Sequence, residues 1–262
     1  MPMIQWIEQI FIDVDDCLLP TNGDTNFDFY VGLESLARTV KNANAGKLPR
    51  IGPCSGRDRN YIEAVSFFLG LPDGWSVIES GIALFNPRTK QFLLNPALTP
   101  LLLAAFAEIR QNRLPQILKK FPDLFDYPGN QINIALERKY GCQIPMEEFY
   151  QAIKEELFDL TDLVTIHHST VAVDISPAGI DKASGISFFS RMTGINVENI
   201  LGIGDSRGDF PMLNLVGYVG CPANASDECK ALVKSRDGYI SGFPYALGVA
   251  DIIHNHFITL KN

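Results

Sequence analysis

The sequence predicts an α/β fold built on a parallel sheet, with an α+β segment inserted into it. Near both ends of the chain, short apolar runs alternate with helix-period segments, as parallel strand–helix–strand units require. Two of those runs lead into clustered carboxylates, Asp13, Asp15 and Asp16 in one case and Asp205 and Asp209 in the other. Between the halves the pattern shifts toward polar–apolar alternation, the mark of antiparallel strands with one covered face.

Gln9 to Val14 is a nearly continuous apolar run, the form a buried parallel strand takes, and it leads directly into the acidic group. Phe29, Leu33, Leu36, Ala37 and Val40 follow at helical spacing, closed by Gly46. Leu48 to Cys54 predicts a second strand despite Pro49 and Pro53, running into Ser55-Gly56-Arg57 and a helix that stops by Gly70. Trp75 to Glu79 predicts a third strand of the same parallel sheet. In the middle, 163–168 and 171–175 form a predicted hairpin, accompanied by helices over 96–112 and 145–160. The α/β pattern then returns: Asp181 caps a helix from Lys182 to Met192, stopped near Gly194, and Asn199 to Gly204 is a buried strand. Short strands at 217–221 and 238–241 and a closing helix from Tyr245 to His254 complete the reading. The expected organisation is a core of residues 1–84 and 178–262 with an α+β insertion of residues 85–177.

With 262 residues, 46% of them hydrophobic, the chain can bury a core in each of two modest domains. A formal net charge of -8 argues against a nucleic-acid groove, which needs clustered Lys and Arg. Five cysteines with no Cys-x-x-Cys pair suit a reducing compartment. Met1 to Phe11 lacks the basic and apolar regions of a signal peptide, and the most apolar stretch, 98–107, is about half the length of a membrane span. The expected location is the cytoplasm, with no membrane partner.

In an open parallel sheet, ligands bind at the carboxyl ends of the strands. Three predicted strands end there in reactive groups: Asp13 and Asp15, Ser55 and Gly56, and Asp205 and Asp209, with Lys182 opening a nearby helix. Mg²⁺ prefers oxygen ligands, so a few carboxylates suffice to hold it against a phosphate ester. An aspartate can attack phosphorus, and a second carboxylate can protonate the leaving alkoxide. Ser55 and backbone N–H groups at a helix start can hold phosphate oxygens, while Lys182 offsets the carboxylates.

These segments resemble the motifs of the haloacid dehalogenase-like superfamily, in its Cof-type branch. Phe11-Ile-Asp-Val-Asp-Asp-Cys-Leu-Leu19 is similar to the first motif, Ser55-Gly56-Arg57 to the second, Lys182 to the third, and Gly204-Asp-Ser-Arg-Gly-Asp-Phe-Pro-Met-Leu213 to the fourth. The resemblance implies a Rossmann-like core with a type II cap, Asp13 as nucleophile and Asp15 as general acid/base. It implies Ser55, Gly56 and Lys182 as phosphate-binding residues. Mg²⁺ would be held by Asp13, Asp15 (through its carbonyl), Asp205 and Asp209. Asp16 and Cys17 stand where the family usually has Gly and Thr. The implied activity is hydrolysis of a small phosphate monoester, a sugar phosphate or phosphoglycoside, through an aspartyl-phosphate. A hexose phosphomutase and a non-catalytic binding protein are the alternatives on the same fold. A signalling receiver domain is disfavoured, because no predicted strand between the acidic pair and Ser55 carries a lone phospho-acceptor Asp. Cap residues that can meet substrate are Arg138, His167 and His168, with alternation turning one histidine inward. Cys17 and Cys54 beside the motifs read as small buried residues rather than a redox pair.

Overall fold

The computed structural model describes residues 7–258 apart from 22, 24–26, 72, 170 and 171; Val171, the expected start of a hairpin strand, lies outside them. In chain order the elements begin with β1 (Gln9–Ile12), α1 (Phe27–Asn44), β2 (Arg50–Pro53) and α2 (Arg59–Phe68), followed by three short strands, β3 (Ser76–Ile78), β4 (Ala83–Phe85) and β5 (Phe92–Leu94). Next come α3 (Pro100–Glu108), α4 (Leu114–Lys120), β6 (Leu124–Asp126), β7 (Ile134–Arg138), α5 (Met146–Glu156), β8 (Val164–His168) and β9 (Ala172–Pro177). The chain returns through α6 (Lys182–Thr193), β10 (Ile200–Ile203), α7 (Phe210–Leu215), β11 (Tyr218–Cys221), α8 (Asp227–Ser235), β12 (Tyr239–Ile240) and α9 (Tyr245–Ile258).

The central sheet is parallel, in the order β12-β11-β10-β1-β2. All four β1 residues are buried, and alternation sends the three apolar ones to two different clusters. Ile10 and Ile12 join Leu36 of α1, Ile62 of α2 and Ile253 of α9 on one face. On the other face Phe11 joins Phe189 of α6 and Met212 of α7, with the two phenyl rings edge to face at 5.0 Å. Burying each such side chain stabilises the fold by about 1.5–3 kcal/mol. Helix α6 starts where Asp181 accepts a hydrogen bond from the Ser184 N–H at 2.8 Å, and ends at Gly194, whose φ of 79° needs no Cβ.

The third predicted strand meets expectation in part. Among the described residues, β3 runs parallel to the end of β2 through the bridge between Cys54 and Val77, as expected, but its own ladder is antiparallel to β4, which pairs antiparallel with β5. Only a short turn joins β3 to β4, whereas a parallel neighbour requires a crossover of about a dozen residues. The predicted helix over 96–112 starts instead at Pro100. Thr99 caps it, accepting from the Leu102 N–H at 3.2 Å, and it runs through a π turn over Ile109–Arg113 into α4. Pro115, which has no N–H to donate, stands at the start of α4 where the ladder shifts.

The third sheet is antiparallel, in the order β6-β7-β9-β8. Ile134, Leu136, Val173 and Ile175 on one face pack with Phe106, Ile117, Phe149 and Ile153 of the accompanying helices. Phe85 and Leu98 belong to the first cluster and Phe106 to the third. No helix among the described residues is long and apolar enough to cross a membrane.

Candidate active site

Strand order reverses across β1 and β10, and the site lies at the carboxyl ends of these two strands. Asp13 follows β1, and its N–H donates to the Ile203 carbonyl of β10 at 2.9 Å. Asp205 follows β10. The Asp209 carboxylate ties down the loop between them, with Oδ2 accepting from the N–H groups of Asp205 at 2.9 Å and Ser206 at 3.2 Å. The chain must pass close here: a Cβ on Gly204 would lie 2.4 Å from Asp209 Cγ.

Lys182, on the first turn of α6, donates to Asp13 Oδ1 at 2.8 Å and to Asp209 Oδ1 at 2.7 Å. Asp13, Asp205 and Asp209 bring carboxylate oxygens within 4.8 Å of one another, and all three residues are buried. Burial first, then the Asp209 charge, pushes the Asp13 carboxyl up, against the pull of Lys182. Burial, then Asp13 and Asp209, likewise pushes Asp205 up. Burial works against the Lys182 charge, but Asp13 and Asp209 outweigh it and hold the ammonium protonated. Three buried carboxylates thus share one buried ammonium. Asp205 Oδ1 is buried without a hydrogen-bond partner among the described residues.

Ser55 follows β2 and is fully buried, its Oγ accepting from the Arg57 N–H at 3.2 Å. Gly56 beside it is exposed. Asp15 faces Arg57, with Nε donating to Oδ2 at 2.9 Å and Nη2 to Oδ1 at 3.1 Å. Asp16, in place of the usual Gly, takes a φ of 55° and turns its carboxylate to Thr21, accepting from N–H at 2.9 Å and Oγ1 at 2.7 Å. Cys17 and Cys54 are fully buried, and burial raises both thiols.

The three candidates on the antiparallel sheet separate. Register pairs His167 with Asp174 and His168 with Val173, so the histidines point to opposite faces, yet both are exposed at the strand end instead of one being turned inward. His168 lies on the helix-covered side, 2.9 Å from Glu147, with its ring centroid 4.7 Å from that of Tyr150. Arg138 shares the parity of Leu136 and donates to the Ile144 carbonyl at 3.1 Å. Among the three, His167 is the one on the polar face, the face Glu137 shares with Asp174 by register. Glu137 Oε1 accepts from Arg57 Nη1 at 3.3 Å, and the Tyr127 ring lies 4.6 Å from the Arg57 guanidinium carbon. Sequence reasoning missed Tyr127, Glu137 and Asp174. The alternation of Ile134-Ala-Leu-Glu and Val173-Asp-Ile sets Glu137 and Asp174 opposite the apolar residues and carried the signal.

A family model described as haloacid dehalogenase-like hydrolase matches residues 110–253, a segment that includes Lys182, Asp205 and Asp209. A phosphoglycolate phosphatase of Methanospirillum hungatei is 29% identical over 135 residues, 52% of each chain, so this chain spans about half that relative's length. A 5-amino-6-(5-phospho-D-ribitylamino)uracil phosphatase of Escherichia coli is 24% identical over 204 residues, 68% of this chain and 74% of that one. Among solved structures, the sucrose-phosphatase of Synechocystis sp. PCC6803 aligns with a TM-score of 0.66 at 17% identity, over 97% of this chain and 98% of that one, and so shares the fold.

Proposed function

The chain belongs to the haloacid dehalogenase-like hydrolase family, and from that premise we propose that it is a Mg²⁺-dependent phosphatase of small phosphate monoesters. The observation that carries the reading is the buried set of Asp13, Asp205 and Asp209 around Lys182 at the reversal point of the sheet. Its charge excess and the Asp205 Oδ1, without a partner among the described residues, suit a divalent cation with oxygen ligands. Asp13 and Asp205, with the Asp15 carbonyl, would hold the ion; Asp209, whose two oxygens already accept from Lys182 and the loop, would support it. When bound, Mg²⁺ neutralises phosphoryl oxygens.

Asp13 attacks phosphorus in line, the ester P–O bond breaks, and the leaving alkoxide takes a proton from Asp15. Water then attacks the phosphorus of the aspartyl-phosphate and gives its proton to Asp15. The Asp13–phosphorus bond breaks and inorganic phosphate leaves. Ser55, the Gly56 backbone and Lys182 hold the transferred group. The layer containing the antiparallel sheet, within residues 85–177, acts as a cap over the site.

The leaving group is a neutral polyol or sugar. The polar face of the cap sheet carries Glu137 and Asp174, and the charge of Arg57 is already matched by Asp15 and Glu137. Phosphoglycolate, named for the Methanospirillum relative, would bring a further carboxylate to this face. The test is phosphate release from a panel of sugar phosphates, phosphoglycolate and p-nitrophenyl phosphate, with Mg²⁺ or with EDTA, on wild type and Asp13→Asn. The expected result is metal-dependent release, lost in the folded variant, with a sugar phosphate turned over faster than phosphoglycolate. Substantial turnover by Asp13→Asn would refute the scheme.

A further inference from the structure

We infer that Glu137 is a positioning residue that aims Asp15 through Arg57, so that protonation of the leaving group depends on the cap being seated. The inference rests on the phosphatase reading above.

Arg57 stands in the loop between β2 and α2, and its guanidinium is held on every side. One edge binds Asp15 through two N–H groups, at 2.9 and 3.1 Å. The remaining terminal nitrogen, Nη1, reaches Glu137 at 3.3 Å. The guanidinium carbon lies 5.3 Å from the Tyr61 ring centroid and 4.6 Å from that of Tyr127. Asp15 and Tyr61 flank the parallel sheet, whereas Glu137 and Tyr127 belong to the antiparallel layer. The fork is therefore shared between the two layers.

A guanidinium is planar and rigid, so fixing one of its edges fixes the direction of the others. Glu137 sits in the middle of the layer, paired with Ala172 on one side and Phe125 on the other, so its carboxylate moves with the sheet. The pairs are partly withdrawn from water, where charge-assisted hydrogen bonds are strong. The Asp15 side chain, hydrogen-bonded to Arg57 through both carboxylate oxygens, takes its orientation from that fork. With Glu137 removed, the outer nitrogen loses its anchor and Asp15 is aimed less sharply. A general acid acts only when held within hydrogen-bond reach of the leaving oxygen. The loss must therefore fall on leaving groups that need a proton.

The test compares ethyl phosphate with p-nitrophenyl phosphate, measured as kcat/KM with Mg²⁺, for wild type, Glu137→Ala and Glu137→Gln. Ethoxide is strongly basic and needs the proton; p-nitrophenolate departs without it. Ethyl phosphate carries no hydroxyl for Glu137 to touch, so a lost substrate contact does not enter. In Glu137→Ala the preference for p-nitrophenyl phosphate over ethyl phosphate is expected to rise at least about tenfold. Glu137→Gln, which keeps an acceptor oxygen for Arg57, is expected to fall between wild type and Glu137→Ala. A ratio unchanged within about threefold, whether both rates fall together or neither moves, would overturn the inference and leave the phosphatase standing. A wild type that hydrolyses neither ester under conditions where it is folded would overturn both.

Discussion

At the residue scale, the decisive feature is the balance of charge around Lys182. Its ammonium lies between two buried carboxylates, Asp13 and Asp209, while Asp205 has a buried oxygen without a partner among the described residues. Removing one member of a buried ion pair leaves the other charge uncompensated, at about 3–5 kcal/mol. Lys182→Met is therefore expected to lose about that much stability in EDTA, measured by urea unfolding, and less with Mg²⁺ present, because a cation at the carboxylates supplies the missing charge. An equal loss under both conditions would place any bound cation elsewhere. Asp16 shows the same logic at smaller scale. A residue that replaces the usual Gly must still accept a φ of 55°, and Asp tolerates that region better than most side chains. Its carboxylate is engaged by Thr21, which accounts for a departure that spacing alone leaves open.

At the element scale, the antiparallel sheet divides its two faces between apolar and charged residues. Leu136, Val173 and Ile175 hold the helices, whereas the opposite face exposes a half-buried carboxylate, Asp174, whose pKa burial and Glu137 together raise to about 6 despite Arg57. A carboxyl whose folded pKa lies above its unfolded value binds protons more tightly when folded. Its stabilising contribution is then present at low pH and lost as pH rises from about 4 to about 6. Asp174→Asn removes that dependence. Its advantage in Tm over wild type is expected to be near zero at about pH 4 and to correspond to about 1–2 kcal/mol at about pH 7.5, partial exposure reducing the full linkage value. A constant difference across that range would mean that Asp174 titrates normally. The Asp174 position also shows where the sequence was legible. Continuous apolar runs such as Gln9 to Ile12 and Ile200 to Ile203 announce buried parallel strands, and the carboxylates that follow them locate the site. Three-residue strands such as β3, β4 and β6 are too short to show a period, so spacing reveals β3 as a strand but not the antiparallel partners β4 and β5 that follow it. The polar face of this sheet is not legible from spacing, because Glu137 on β7 gains meaning only once register sets it against Arg57.

At the scale of the whole molecule, the question is what fixes the two layers against each other. Arg57 spans them at the site, and its carbonyl accepts from the Glu79 N–H at 3.0 Å, which leads to a second tie. Glu79 is buried at the turn after β3, with a φ of 46°. Its carboxylate accepts backbone N–H groups from Gln131 at 2.9 Å, Ile132 at 3.0 Å and Asn133 at 3.3 Å, just ahead of β7. The Asn133 side-chain amide donates back to the Glu79 carbonyl at 2.7 Å. These donors sit where the antiparallel layer meets the meander, and each buried donor left unpaired costs about 1–3 kcal/mol. Glu79→Ala frees three at once, and entering water recovers part of the loss. The expected destabilisation is about 3 kcal/mol in urea unfolding. A purely structural cavity elsewhere could give the same number, so hydrogen exchange supplies the local readout. The amides of Gln131, Ile132 and Asn133 are expected to exchange faster in Glu79→Ala while those of Ile10 to Ile12 in β1 keep their protection. If exchange at 131–133 were unchanged, Glu79 would not be the tie. If protection in β1 fell equally, the variant would have loosened the whole fold rather than the junction between the layers.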